Sequence, residues 1–85
     1  MEEGNYFKYN DEIGFMVHPN PVINEFEIGQ NNSQSHIYYI INLCGKIVAT
    51  FRYVDRSKPI ILSVRAGVYI IRNQSSGKSQ KIVFT

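Results

Sequence analysis

The chain of 85 residues is poor in several features that would otherwise point to a fold or an activity. It has one cysteine, Cys44, so no disulfide can form within it. It has no apolar run long enough to cross a bilayer as a helix, and no long stretch of helical periodicity. Met1 starts no secretory signal, because Glu2 and Glu3 have the wrong charge and no apolar stretch follows them. We expect one small domain, either cytosolic or part of a chain whose export signal lies further upstream.

Acidic residues are scarce beyond Glu27, where Asp55 is the only one. A basic face can bind nucleic acid or another anionic partner. Here the basic residues are spread singly along the chain, which is typical of solvated outward positions on strands, and we favour that interpretation. The eight basic residues of this part are Lys46, Arg52, Arg56, Lys58, Arg65, Arg72, Lys78 and Lys81.

Candidates for catalysis are few. His18 and His36 are the only histidines, and neither lies at metal-ligand spacing from the other or from Cys44. A nucleophile pair of Cys44 and His36 lacks a third group that would orient the histidine. Glu25 and Glu27 point to the same side of one predicted strand, where paired carboxylates are usually solvated. The sequence therefore predicts neither an enzyme nor a metal or cofactor site.

What the chain does have is a series of short apolar stretches separated by turn signals. The central one is residues 66–72, in which Val68, Ile70 and Ile71 are β-branched, and we expect it in the middle of a sheet with both sides buried. About seven strands and no helix predict an all-β fold, an antiparallel β-sandwich of the immunoglobulin-like type, over residues 14–85. Residues 1–13 are predicted to be a lead-in or linker. The predicted strands are 14–18, 25–28, 36–43, 46–53, 59–62, 68–73 and 79–85.

Proline and glycine mark the predicted turns. His18-Pro19-Asn20-Pro21 predicts a stiff, extended corner that leads from one sheet to the other, because each proline restricts itself and the residue before it. Cys44-Gly45 predicts a two-residue hairpin turn, and residues 75–78 a second hairpin. Gly67 permits a positive φ or the close approach of another strand. On the strand at residues 25–28, the alternation predicts that Phe26 and Ile28 face the core.

Two other classes of function stay open at this point. Tyrosines interspersed with Arg and Lys form a stacking surface for single-stranded nucleic acid in some small β-barrels. Aromatic residues on strands more often fill a core or pair across strands. A free-standing immunoglobulin-like or fibronectin-like adhesion module for carbohydrate or protein is the other alternative. The tyrosines concerned are Tyr38, Tyr39, Tyr53 and Tyr69.

Four landmarks stand in order along the chain: His18-Pro19-Asn20-Pro21, Asn42-Leu43-Cys44-Gly45-Lys46, Ser63-Val64-Arg65-Ala66-Gly67-Val68-Tyr69 and Lys81-Ile82-Val83. Over about residues 15–85 they resemble the type A C-terminal sorting domain of proteins exported by the type IX, or Por, secretion system of Bacteroidota. That family's pattern is Pro-Asn-Pro, then Asp-x-x-Gly-Arg, then a small residue with Gly-Val-Tyr, then a closing Lys with apolar neighbours. This chain departs from it with Asn42 for Asp, Lys46 for Arg and Arg65 for a common Pro. The first two changes keep turn capacity and positive charge.

The resemblance implies a sorting signal rather than an enzyme. Such a domain ends a longer cargo protein, directs it across the outer membrane through the type IX machinery, and is removed by a sortase-like peptidase. The cargo is then released or fixed to surface lipopolysaccharide, and no nucleic acid, cofactor or small-molecule substrate takes part. By resemblance the prolines fix a corner, the glycines permit tight backbone, the tyrosine anchors the core, and the last strand offers an exposed end to a receptor. Each residue has the alternative of serving the fold alone. The implied sorting residues are Pro19, Asn20, Pro21, Asn42, Gly45, Lys46, Gly67, Tyr69 and Lys81.

Overall fold

A computed structural model describes residues 14–30, 35–54 and 58–85, so the predicted lead-in at residues 1–13 lies outside the described part. The described residues form strands and no helix, which confirms the all-β prediction. None of them belongs to a helix that would cross a bilayer. The strands are β1 (Phe15–His18), β2 (Glu27–Gln30), β3 (His36–Ile41), β4 (Ile47–Tyr53), β5 (Gly67–Asn73) and β6 (Ser79–Phe84).

The strands form two antiparallel sheets. β1 pairs with β2, and the larger sheet has the order β4-β3-β5-β6. Both tight hairpins of the larger sheet, β3–β4 and β5–β6, join neighbours in the sequence as the turn signals predict. The β3–β5 pairing brings together strands that are not consecutive, with Ile41 opposite Ile70.

The predicted strand at residues 59–62 is wrong, and the described strands number six rather than about seven. Only Ile60 pairs there, in an isolated bridge with Phe26. The two residues exchange backbone hydrogen bonds of 3.0 and 2.7 Å, and the pairing does not extend. Pro59 has no N–H and cannot lengthen the ladder on its side. The second predicted strand is shifted, beginning at Glu27 after the bridge.

The prediction for residues 66–72 is correct about the place of the strand in the sheet and wrong about the burial of both its faces. β5 lies between β3 and β6, as a mid-sheet strand should. Its inner face includes Ile71 and Asn73, which are buried, but Val68 on the other face is 41% exposed and Arg72 is exposed as well. The smaller sheet covers only one face of the larger one, so the opposite face of β5 meets solvent.

The core lies between the two sheets. Phe15, Val17 and Ile28 come from the smaller sheet, and Phe26 and Ile28 face inward as predicted. The ring centroids of Phe15 and Tyr38 are 5.2 Å apart with the planes at 70°, an edge-to-face contact between the layers. The remaining buried members of the cluster are Val22, Ile40, Tyr53, Ile71, Ile82 and Phe84.

Two of the tyrosines considered for base stacking are core residues. Tyr38 is 0% exposed and stacks on Phe51, with ring centroids 5.7 Å apart, while Tyr53 is 3% exposed. Tyr69 is half-buried against the core, and Tyr39 is half-buried and accepts a hydrogen bond from Gln74. The burial of Tyr38 and Tyr53 therefore favours core and cross-strand packing over the alternative of a tyrosine stacking surface.

Candidate functional site

The Pro19–Pro21 corner does more than turn the chain, because the side chain of Asn20 pairs with the last strand. Asn20 Nδ2 donates to the carbonyl of Lys81 at 3.0 Å, and Asn20 Oδ1 accepts from the amide of Val83 at 3.0 Å. A side-chain amide presents an N–H donor and a carbonyl acceptor side by side, like a peptide group, and here it takes the place of a neighbouring strand. The flanking prolines lack backbone donors, so the side chain supplies the pairing at this point.

The pairing continues one step further along β6. The amide of Val22 donates to the carbonyl of Val83 at 2.7 Å, and the amide of Thr85 donates to the carbonyl of Val22 at 2.9 Å. The backbone edge of the last strand is thus covered between Lys81 and Thr85. The side chain of Lys81 remains exposed. The last strand therefore presents a side chain, rather than a free backbone edge, to any receptor in this region.

The β3–β4 hairpin has a three-residue loop, so the predicted two-residue turn at Cys44-Gly45 is wrong. Asn42 and Lys46 close the loop through a hydrogen bond of 2.8 Å from the Asn42 amide to the Lys46 carbonyl. Gly45 has a φ of 90°, the left-handed conformation that a loop of this length needs at its last position. Asn42 Oδ1 accepts from the amides of Cys44 and Lys46, each at 2.9 Å. An aspartate carboxylate would accept the same two bonds, so Asn42 retains the turn.

Tyr69 ties the start of β5 to the segment before it. Its hydroxyl donates to the carbonyl of Arg65 at 2.8 Å, across the tight turn that contains Gly67. Its ring packs edge-on against Phe84, with centroids 5.5 Å apart. Gly67 has a φ of 152°, which is the positive φ predicted as one of two reasons for a glycine at this position. Tyr69 is half-buried and packs against the core, so it supports the fold whatever else it does.

The four landmarks are spread over the whole sequence but meet in one half of the larger sheet. Ile41 stands opposite Ile47 on one side and Ile70 on the other, and Ile70 stands opposite Lys81. This row runs across all four strands, from the loop of residues 42–46 to the edge where Asn20 binds β6. We call this half of the sheet, with the loop and the corner, the landmark end.

The landmark end contains an open cleft of about 310 Å³. Asn42 from the second landmark and Tyr69 from the third both line it, so the cleft joins two motifs that the sequence separates. Ser63, Val64 and Arg65 belong to the third landmark, whereas Val48 had no signal beyond its place in a predicted strand. The lining residues are Asn42, Val48, Ser63, Val64, Arg65 and Tyr69.

The structure supplies no catalytic constellation from the residues considered for one. His36 begins β3 and Cys44 follows its other end, so roughly 20 Å of strand separates them. Cys44 is a free, exposed thiol, and Glu25 and Glu27 are both exposed. Among the described residues, no three His, Cys, Asp or Glu side chains are grouped to hold a metal ion. The landmark end is a surface of backbone-fixing side chains, exposed lysines and a cleft, which suits recognition.

Comparison with known proteins gives one match. No curated protein and no solved structure matches the chain. The family model described as the secretion system C-terminal sorting domain matches residues 16–85, which is most of the chain and includes all four landmarks. The chain belongs to this family, whose members are the C-terminal sorting signals of proteins exported by type IX secretion.

Proposed function

We propose that the domain is the export label of a longer cargo protein, and that the type IX machinery reads it at the landmark end. Membership of the family already makes this chain a sorting signal that interacts with that machinery and forms part of a secreted protein. The observation that carries the finer proposal is the convergence of the landmarks on one half of one sheet. Residues needed only for separate turns would have no reason to gather at one end.

The implied sorting residues divide into two groups by what their side chains contact. Asn20, Asn42 and Tyr69 bind backbone within the domain, and Gly45 and Gly67 adopt conformations that favour glycine. This first group shapes the landmark end. Lys46 and Lys81 have exposed side chains that make no hydrogen bond to the described part of the chain, and Pro19 and Pro21 are exposed at the corner. We assign the second group to direct contact with the export receptor.

The two lysines are well placed for such a contact. Lys46 adjoins Ile47 on β4, and Lys81 lies on β6, at the two edges of the row that crosses the sheet. Three strand spacings separate these edges, which corresponds to roughly 14 Å. Each lysine offers an exposed cation to an acidic receptor surface, and the sequence from Lys58 to Thr85, which includes Lys81, contains no acidic residue.

The remaining steps follow from the role as a label. Residues 1–13 would link the domain to its cargo and contain the site cut by a sortase-like peptidase. The cargo would pass through the periplasm of a member of the Bacteroidota and end at the cell surface or outside the cell. The domain itself would carry out no catalysis and bind neither nucleic acid nor a small-molecule substrate. Its immunoglobulin-like sandwich would serve to present the landmark end in a fixed shape.

The test is an export assay in a host that has the type IX system. The full chain is fused behind a periplasmic reporter, and reporter activity is measured in the periplasm, on the surface and in the medium. We expect the reporter to leave the periplasm, and a fusion of residues 14–85 to be exported without being cut. A reporter that stays in the periplasm behind a folded domain would refute the proposal.

A pair of double variants separates recognition from fold and charge. Lys46→Ala with Lys81→Ala removes both cations of the landmark end, and we expect export to fall at least about tenfold while thermal stability changes little. Arg52→Ala with Lys78→Ala removes the same charge at the opposite end of the sheet and serves as the matched control. Equal losses of export from the two double variants would show that net charge, and not the landmark end, is read.

A further inference from the structure

Residues 61–65 lead into β5 and belong to neither sheet, yet they alternate like a strand. Ile61, Ser63 and Arg65 are exposed, and Leu62 and Val64 between them are half-buried against the core. A period of two is the pattern of a strand with one face covered. The segment therefore has the side-chain arrangement of a β-strand, yet none of the six described strands pairs with it.

The backbone of this segment lacks the partner that its side-chain pattern calls for. Ile60 exchanges two hydrogen bonds with Phe26, and the pairing stops there. Within the described part of the chain, the backbone groups of residues 61–64 have no backbone partner, while the carbonyl of Arg65 accepts from Tyr69. Unpaired groups on an extended segment are the usual template for the addition of a strand from another chain.

The outer edge of β6, in contrast to residues 61–65, is already paired. The outer edge of β6 is covered by Asn20 and Val22 of the same chain. Residues 61–65 receive no comparable cover from the described residues, and Ile61 is 72% exposed. The outer edge of β6 is thus closed internally, whereas the unpaired backbone of residues 61–64 lies beside the cleft, which Ser63, Val64 and Arg65 also line.

The cleft offers hydrogen-bond donors to an occupant. Arg65 carries a guanidinium, Ser63 a hydroxyl, and Asn42 an amide whose oxygen is already engaged by two backbone N–H groups. None of the described residues that line the cleft carries a carboxylate. Val48 and Val64 supply apolar contact for the stem of a side chain. This set of groups suits a carboxylate at the end of a short aliphatic chain, as in aspartate or glutamate.

We propose that residues 61–65 and the adjoining cleft form a binding site for an extended, acidic peptide segment of a partner protein. The segment adds a strand along residues 61–65 and places one carboxylate in the cleft against Arg65, Ser63 and Asn42. A second copy of this chain is a poorer occupant, because its residues 61–65 contain no acidic side chain that would place a carboxylate in the cleft. Identification of the partner as part of the export machinery rests on the proposed function, whereas peptide binding itself does not.

The test uses the full 15N-labelled chain and an acetylated, amidated heptapeptide of sequence Thr-Glu-Val-Glu-Val-Glu-Thr. We expect amide shift changes and slowed amide exchange at residues 61–64, with further shifts at Asn42 and Val48. A matched peptide with Gln for every Glu should bind about threefold to fivefold more weakly, the effect of one exposed charged contact. Arg65→Gln should weaken the acidic peptide by the same factor and leave the Gln peptide unchanged.

Further measurements test how the peptide binds and whether a second copy of the chain occupies the site. A peptide N-methylated at every residue cannot donate to a neighbouring strand from either edge, so equal affinity of this peptide would overturn strand addition. Equal affinity of the Glu and Gln peptides, or shifts away from residues 61–65, would overturn the carboxylate site. Sedimentation of the chain alone is expected to show a monomer. A dimer whose amides at residues 61–64 are protected would make a second copy the occupant and overturn the assignment to a partner peptide.

Peptide binding and export are measured separately, so the failure of this inference can be distinguished from the failure of the proposed function. If the peptide fails to bind while the reporter fusion is exported, the peptide site is refuted and the export role stands. If the peptide binds as expected, the Arg65→Gln fusion should be exported at least about threefold less efficiently. Export of that fusion at the wild-type level would refute the link between the site and the export machinery.

Discussion

The conformation of Gly67 supports a quantitative prediction. Its φ of 152° lies in a region that residues with side chains rarely adopt, and it stands at the start of β5 opposite Phe84. A Cβ built at this position would meet only Cε1 of Tyr69, at 3.7 Å, which is an ordinary contact. A side chain at Gly67 is therefore disfavoured by the backbone and not by lack of room.

The backbone strain sets the expected loss of unfolding free energy. A residue held in a sparsely populated backbone region costs about 1–3 kcal/mol. A β-branched side chain at positive φ is an outlier, so Gly67→Val should lose that amount of unfolding free energy. Alanine has no β-branch, so the backbone strain in Gly67→Ala, and with it the loss of unfolding free energy, should be smaller than in Gly67→Val. For a domain of this size, 1 kcal/mol corresponds to about 4–8 °C in the midpoint of thermal unfolding.

Thermal and urea unfolding followed by circular dichroism measure the effect. Ala66→Val is the matched control, because it adds the same side chain at the exposed neighbouring position and should change stability by less than about 0.5 kcal/mol. We expect the midpoint of Gly67→Val to fall by about 4 °C or more while the control stays near the wild type. A midpoint within about 2 °C of the wild type would show that the turn relaxes without strain, and the reasoning would be refuted.

Three further substitutions test the side chains that hold the landmark end. Asn20→Ala removes two hydrogen bonds to the last strand and should cost about 1–3 kcal/mol, with faster amide exchange at Val83, while unchanged exchange there would contradict the pairing. Asn42→Ala should cost about 1 kcal/mol in urea unfolding, and Asn42→Asp, which keeps the accepting oxygen, should cost less; equal losses would disprove the turn-capping role. Tyr69→Phe keeps the ring contact and removes the bond to Arg65, so unfolding should show a loss of about 0.5–1.5 kcal/mol, and no loss would mean that water replaces the bond at no cost.

Local patterns predicted most of the strands because a half-buried strand leaves a period of two in the sequence. Phe26 and Ile28 were assigned inward from that period, and both are buried. Tight turns were similarly visible, since a position with positive φ favours glycine wherever it occurs, as at Gly67. The ordered motifs were sufficient to indicate the family, which is a comparison of residue types along the chain and needs no coordinates.

The tertiary structure decided which strands pair and which faces are covered. No local pattern states that the smaller sheet covers one face of β5, so the double burial predicted for the central stretch was wrong at Val68. Nor does a pattern reveal that Asn20 binds β6, since 63 residues separate it from Val83. The site depends on such distant pairings. The sequence by itself determined most of the strands, the places of the turns and the family, because these follow from neighbours along the chain. Only the pairing of distant strands and the packing of the two sheets brought four motifs to one end and left residues 61–65 without a strand of the described part of the chain beside them.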